Sequence, residues 1–199
     1  MSIVQSIDAL DALYGAAAPN SLRKVVTRLT PPYATWINAA RFCVLTTVGP
    51  EGTDGSPRGD DGPVVRMVND TTLHLPDWRG NNRIDSLRNI VRDGRVSLLF
   101  MVPGSSNVVR VNGTAVISVD PALTRSFRQR GRTPKCVIVI TVGEAYFQCS
   151  KAILRSGLWD EQGAPDVPSA GDFLQDQVDA FDGKAYDDND TEHAKANMW

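Results

Sequence analysis

Leu75-Pro76-Asp77-Trp78-Arg79-Gly80-Asn81-Asn82-Arg83-Ile84-Asp85-Ser86-Leu87 is the stretch on which the reading of this chain turns. Thr71 to Pro76 is β-rich and the residues beyond Arg83 have helical spacing. The pattern predicts a strand, a short loop, and a helix that starts near Asn81 or Asn82. Asparagine is a preferred N-cap residue. The free N–H groups and the positive dipole end of such a helix attract an anion. Arg83 and Ser86 add a guanidinium and a hydroxyl to the same turn. The segment therefore reads as a phosphate cradle, and equally as an ordinary capped surface helix. It has no Walker lysine and no Gly-x-Gly-x-x-Gly, so neither a P-loop nor a dinucleotide fingerprint fits.

Outward from this segment, β-rich runs alternate with turn signals. Phe42 to Val48 reads as a strand, and Gly49 to Gly55 as a loop by composition. Pro63 to Val68 and Thr71 to Pro76 flank Asn69-Asp70, a hairpin signal. Arg95 to Val102, Asn107 to Val119 and Lys135 to Cys149 are further strands, with Gly113 marking a bulge or a close approach. Asp120-Pro121 opens a helix expected to run to about Gln129. The connections are too short for repeated βαβ units. They predict a mainly β fold, an antiparallel barrel with flanking helices.

Residues 1–40 read as a helical segment packing on the barrel. Ile3, Ile7, Leu10, Leu13 and Tyr14 recur at helical spacing before Gly15, a second helix starts at Pro19 and runs to Leu29, and a third starts at Pro31. Residues 41–159 form the barrel domain. Residues 160–199 are an extension with one helix, Ala170 to Phe181, and an acidic tail, Asp187 to His193, whose composition predicts disorder.

With 199 residues and a net charge of -2, the chain has a full core and no long basic run. Neither nucleic acid nor a membrane is an expected partner, and no signal peptide is visible. Cys43, Cys136 and Cys149 are an odd, widely spaced set and read as buried thiols in a reducing cytoplasm. His74 and His193 are the only histidines, which argues against a zinc site.

Several cations are candidate ligand-binding groups. Arg58, between Pro57 and Gly59, is expected in a loop on a constrained backbone, either aimed at an anion or facing solvent. Arg66 interrupts a short strand and either faces water or lines a cavity against an anion. Lys151 and Arg155 are four apart and share a face if that segment is helical. They bind an anion there or are merely solvated. Trp78 and Trp159 stand at element ends, where they stack on a flat ring or complete a core. No Gly-x-Ser-x-Gly and no paired catalytic carboxylates stand out, so any chemistry is expected to come from a cofactor.

Taken in order, Ser56-Pro57-Arg58-Gly59-Asp60, Leu75-Pro76-Asp77, Gly80-Asn81-Asn82-Arg83, Arg110-Val111-Asn112-Gly113 and Tyr146-Phe147-x-Cys149-x-Lys151-Ala152-x-x-Arg155-Ser156-x-Leu158-Trp159 resemble the pyridoxamine 5'-phosphate oxidase-like proteins. The likeness spans about Arg41 to Trp159. It implies an FMN-binding split β-barrel, a homodimer with one FMN at each side of its interface, and an FMN-dependent oxidoreductase acting on an unknown small molecule. A non-catalytic flavin binder, or a member of the fold that takes F420 or haem, is the alternative. The resemblance implies that Asn81, Asn82, Arg83 and Ser86 meet the FMN phosphate. It puts Arg66 where the oxidase has a flavin-contacting lysine. It makes Arg58 a candidate for a cation missing from the phosphate turn, and it brings Lys151 and Arg155 near the flavin. Val108 stands where the oxidase has a flavin-contacting glutamine. The oxidase's C-terminal substrate residues are not matched, which points away from the vitamin substrate.

Overall fold

The computed structural model describes residues 2–161, 163 and 166–198. Strands β1 (Phe42–Gly49) and β2 (Gly52–Gly59) form a hairpin about Pro50-Glu51, paired from Phe42 with Gly59 to Gly49 with Gly52. In β1 the side chains of Cys43, Leu45 and Thr47 point inward and are buried, the period-2 pattern of a half-wet strand. The expected loop at Gly49 to Gly55 is therefore mostly strand, and Arg58 lies on that strand rather than in a loop. Composition misreads β2 because it is an edge strand. Its glycines and Pro57 are tolerated where only one side must pair.

The chain continues through β3 (Arg66–Asn69), β4 (Thr72–Asp77), helix α4 (Asp85–Arg92), β5 (Arg95–Met101), β6 (Val108–Ser118) and β7 (Cys136–Gln148). Helices α1 (Ile7–Tyr14), α2 (Pro19–Arg23) and α3 (Pro31–Ala39) precede the sheet. Helix α2 stops well short of Leu29, whose side chain is buried in the core instead. Helix α5 (Pro121–Arg125) is capped by the Asp120 carboxylate, which accepts from the N–H groups of Ala122 and Leu123. It ends four residues before the expected Gln129, because Gln129 and Arg132 pair with each other across a tight turn.

Seven strands lie in the order β2-β1-β5-β6-β7-β4-β3, each neighbouring pair antiparallel. The curled sheet encloses Leu45, Leu73, Leu75, Leu98, Phe100, Val111, Ile138 and Ile140, all essentially inaccessible. Ile37 of α3 closes one end of this core. Tyr33 ties α3 to the barrel: its hydroxyl donates to the Lys24 carbonyl and accepts from the Phe147 N–H. Helix α1, by contrast, has no buried residue. The bulge expected at Gly113 is present between Asn112 and Gly113, where β6 slips against β7. A Cβ at Gly113 would lie 2.0 Å from the Thr141 carbonyl oxygen.

The two ends of the sheet do not pair by a ladder. Instead Arg58 of β2 donates to the Asp77 carboxylate of β4 at 2.7 Å, with both side chains more than four-fifths buried. This ion pair clasps the split of the barrel. Helix α4 packs beside it, where Asn89 donates to the buried Thr47 hydroxyl at 3.2 Å. The contact needs glycine at 49, since a Cβ there would lie 2.1 Å from the side-chain oxygen of Asn89.

Beyond the barrel come α6 (Lys151–Ser156), α7 (Ala170–Gln177) and α8 (Gly183–Asn197). The acidic tail is thus helical and not structureless. Its acids act as hydrogen-bond acceptors: Asp182 caps Ala185, Asp187 accepts from Ser169 and the Gly171 N–H, and Lys184 pairs with Asp188. No helix among the described residues is long and apolar enough to cross a membrane.

Candidate functional site

The split of the barrel opens into a cavity of about 710 Å³. Asp54 to Asp60, largely on β2, form one wall. The end of β4, the loop 78–84 and the first turn of α4 form the other. Val64, Leu75, Pro76 and Cys136 form its buried floor, and Trp78, Ile84 and Met198 also border it. A cleft of mixed polar and apolar lining with cations at its rim has room for a flat ring that carries a charged tail.

The rim departs from the sequence expectation in one respect. Helix α4 starts at Asp85, with Ile84 as its N-cap residue, and not at Asn81 or Asn82. The asparagines shape the loop instead. The side-chain oxygen of Asn81 accepts the Arg83 N–H at 3.1 Å, and that of Asn82 accepts from the Lys135 ammonium at 3.0 Å. Asn82 (φ 60°) and Ile84 (φ 54°) are both left-handed. Asparagine adopts this conformation readily, but a β-branched residue does so at a cost. The strained Ile84 turns the chain abruptly from the rim into the helix.

Five expected site residues meet around this cavity: Arg58, Asn81, Asn82, Arg83 and Ser86. Ser86 is buried, and its hydroxyl donates to Asp54 at 2.6 Å. Arg83 is largely exposed and its Nε pairs with Asp85 at 2.5 Å. Arg58 uses Nη1 on Asp77, while its Nε is buried with no partner among the described residues. That orphaned donor leaves the cavity wall short of an acceptor.

Three expected residues lie elsewhere. Arg66 donates to the Ser126 hydroxyl and carbonyl at 2.8 and 2.9 Å and stacks 3.7 Å from the centre of the Phe127 ring. It lines a smaller neighbouring cavity of about 370 Å³, which shares Asp60 and Pro76 with the larger one. His74, opposite Arg66 on β4, has its pKa lowered by burial and by that guanidinium. Lys151 and Arg155 share an exposed face of α6. Strand β7 carries Cys136 in the cavity at its start and reaches α6 only beyond Gln148, roughly 40 Å of strand away. Neither cation lines the cavity of its own chain.

Three cavity residues escaped the sequence reading. Arg79 and Lys135 bring two more cations, and Asp54 becomes visible only once β2 is known to be a strand. The lining holds four cations (Arg58, Arg79, Arg83, Lys135) and four carboxylates (Asp54, Asp60, Asp77, Asp85), so it is electrically balanced. Trp78 is fixed at the wall by donating to Asp60 at 2.8 Å.

Among the described residues, the cavity holds no thiolate nucleophile. Burial pushes the Cys136 thiol up to about 11, with a contribution from Asp77. Burial pushes Cys43, beside Arg58 in the neighbouring strand, up to about 12. Cys149, expected to be buried, is exposed because it lies just past the end of β7. Among the described residues, no cluster of three His, Cys, Asp or Glu side chains offers a metal site.

An antiparallel split barrel with a partly apolar cavity at its cleft defines the class of protein. The sequence model for pyridoxamine 5'-phosphate oxidase matches residues 29–149, and the chain belongs to that family of flavin-binding proteins. No curated protein matches the sequence. Among solved structures, the chain is similar to HupZ of Group A Streptococcus, with 24% identity over 58% of this chain and 90% of that one, at a TM-score of 0.47. It is also similar to an F420 reductase, with 18% identity over 60% and 98% of the two chains (TM-score 0.43). A third is an FMN-binding protein from Syntrophomonas wolfei, with 14% identity over 56% and 79% (TM-score 0.43).

Proposed function

We propose that this protein is an FMN-dependent oxidoreductase whose flavin lies in the cleft between β2 and β4. The observation that carries the reading is the cavity itself. It leaves room for a ring system between β2 and β4, with Trp78 and Ile84 in its lining, and its rim of Arg79, Asn81, Asn82 and Arg83 can take a phosphate. The unsatisfied Nε of Arg58 supports the fit, because an acceptor on a bound group would complete it. Bound flavin would supply hydride or electron transfer through its N5.

The protein's own share is binding and electrostatics. Arg83 and Arg79 would hold the phosphate, with Lys135 adding charge through its hold on Asn82. Arg58, anchored by Asp77, would place a fixed positive charge in the wall, where it favours negative charge on a reduced ring. Lys151 and Arg155 would act in trans. Within one chain the length of β7 separates them from the cavity, whereas a homodimer can bring α6 of one protomer to the cavity of the other. Arg66 would serve the smaller cavity, as a substrate-side cation rather than a cofactor ligand.

Absorption spectroscopy of the purified protein after FMN loading tests the cofactor. Anaerobic reduction by NADH or NADPH, followed by turnover onto an acceptor dye, separates an oxidoreductase from a flavin store. Oxidised-flavin bands that are bleached by donor and restored by acceptor support the reading. A protein that takes up no flavin contradicts it.

A further inference from the structure

Several polar groups of the rim motif are already engaged within the chain. The Nε of Arg83 is held by Asp85, the Asn81 side-chain oxygen by the Arg83 N–H, the Asn82 side-chain oxygen by Lys135, and the Ser86 hydroxyl by Asp54. Two of these internal partners, Asp85 and Asp54, are carboxylates. A phosphate arriving at Arg83 meets a site whose charge is already balanced, and it meets like charge at Asp85.

From this we propose that Asp85 is a built-in competitor for the ligand's phosphate, and that it sets how strongly the cavity prefers a phosphorylated flavin over an unphosphorylated one. The inference rests on the flavin reading above. Arg83 and Asp85 are two residues apart and 81% and 43% exposed, so their pair is worth little in water and opens at small cost. Asp85 also lies in the first turn of α4, where a carboxylate uses the same positive end of the helix that would favour a phosphate. Arg79, which lines the same cavity, has no carboxylate partner among the described residues. Beside that unpaired cation, the rim holds a shared one in Arg83. A phosphate at Arg83 shares the guanidinium with Asp85, which uses its Nε, and lies beside the Asp85 carboxylate.

The consequence is unusual for a binding-site residue, because removing its charge improves binding. Asp85→Asn keeps the size of the side chain and removes the competition. It should tighten FMN binding about two- to fivefold, the scale of one exposed charge at a helix start. Riboflavin has the same ring and no phosphate, so its affinity should not change. Asp85→Glu keeps the charge and should behave as the parent. Asp93→Asn, at the far end of α4, removes a carboxylate outside the cavity and should change neither affinity. Asp85→Ser, compatible with the start of a helix, provides a second neutral variant if the asparagine disturbs the fold.

The experiment is a fluorescence titration of the full chain and each variant with FMN and with riboflavin, alongside a melting curve. Selective tightening for FMN in both neutral variants supports the proposal. Unchanged or weaker FMN binding by a folded Asp85→Asn protein overturns it while leaving the flavin reading intact, and so does an equal gain for both flavins. A parent protein that binds neither flavin removes both.

Discussion

Arg83, Arg58 and Cys43 show how differently three residues beside one cleft are held. Arg83 is exposed, and its value lies in what it can bind. Arg83→Ala is expected to weaken FMN binding by about 1.5–3 kcal/mol, the range for a hydrogen bond to a charged group. Riboflavin should lose much less, and parallel titrations will show the difference. Arg58 is mostly buried and acts as a clasp. Arg58→Met leaves Asp77 without its cation and should cost about 3 kcal/mol in chemical denaturation, the lower part of the range for a broken buried pair. The double variant Arg58→Met/Asp77→Leu should recover part of that loss. Cys43 is buried with its pKa raised to about 12, so the fold favours the neutral thiol. Its contribution is complete below the ordinary thiol pKa of 9 and is lost as pH rises toward 12. Between those values Cys43→Ala should lose stability with pH less steeply than the parent, as read by denaturation at stepped alkaline pH. At this scale the sequence exposes Arg83 and the asparagines, because they form a contiguous motif. Asp54 and Lys135 stay hidden, because only the fold brings β2 and the residue before β7 to the loop, whereas Arg79 lies in the motif's own stretch and is passed over for want of a cap or fork pattern.

Among the elements, legibility follows the source of the signal. The strands around Leu73, Leu98, Val111 and Ile140 announce themselves through apolar, β-branched runs, and the structure has them within a residue or two. β2 does not, since its strand state comes from pairing with β1 and not from its own residues. The start of α4 differs from its sequence expectation for a related reason. Asn81 and Asn82 have the chemistry of caps, but side-chain bonds to Arg83 and Lys135 commit them to a loop. Helix α8 reads as a solvated acidic run until Asp187 is seen bonded to the start of α7. One glycine is legible in kind, and the structure supplies its cause. Gly113→Ala would drive a Cβ into the Thr141 carbonyl, so β6 or β7 must shift. We expect a loss of about 2 kcal/mol or more in equilibrium unfolding, in the range for overpacking a close contact.

For the molecule as a whole, the surface is too large for an isolated compact chain. The accessible area is 13268 Å², against about 9,200 Å² for a compact monomer of this mass. Part of the excess is apolar. Ile7, Leu13 and Tyr14 of α1, Val116 and Val119 after the bulge, and Leu154 and Leu158 around α6 are all at least half exposed. Soluble proteins seldom leave that much apolar surface uncovered, and a two-fold partner would cover it. We expect sedimentation to give a homodimer. In that dimer, Lys151→Met and Arg155→Met should weaken FMN binding or lower its midpoint potential although neither residue touches its own chain's cavity. If both quantities are unchanged in both variants, the two cations are surface groups only. The central proposal is that a phosphorylated flavin lies in the split of the barrel. Calorimetric titration of the purified protein with FMN and with riboflavin tests it most directly. The predicted result is one FMN per protomer, bound more tightly than riboflavin, with the advantage reduced in Arg83→Ala. No FMN binding, or FMN and riboflavin bound equally whether or not Arg83 is present, would contradict it.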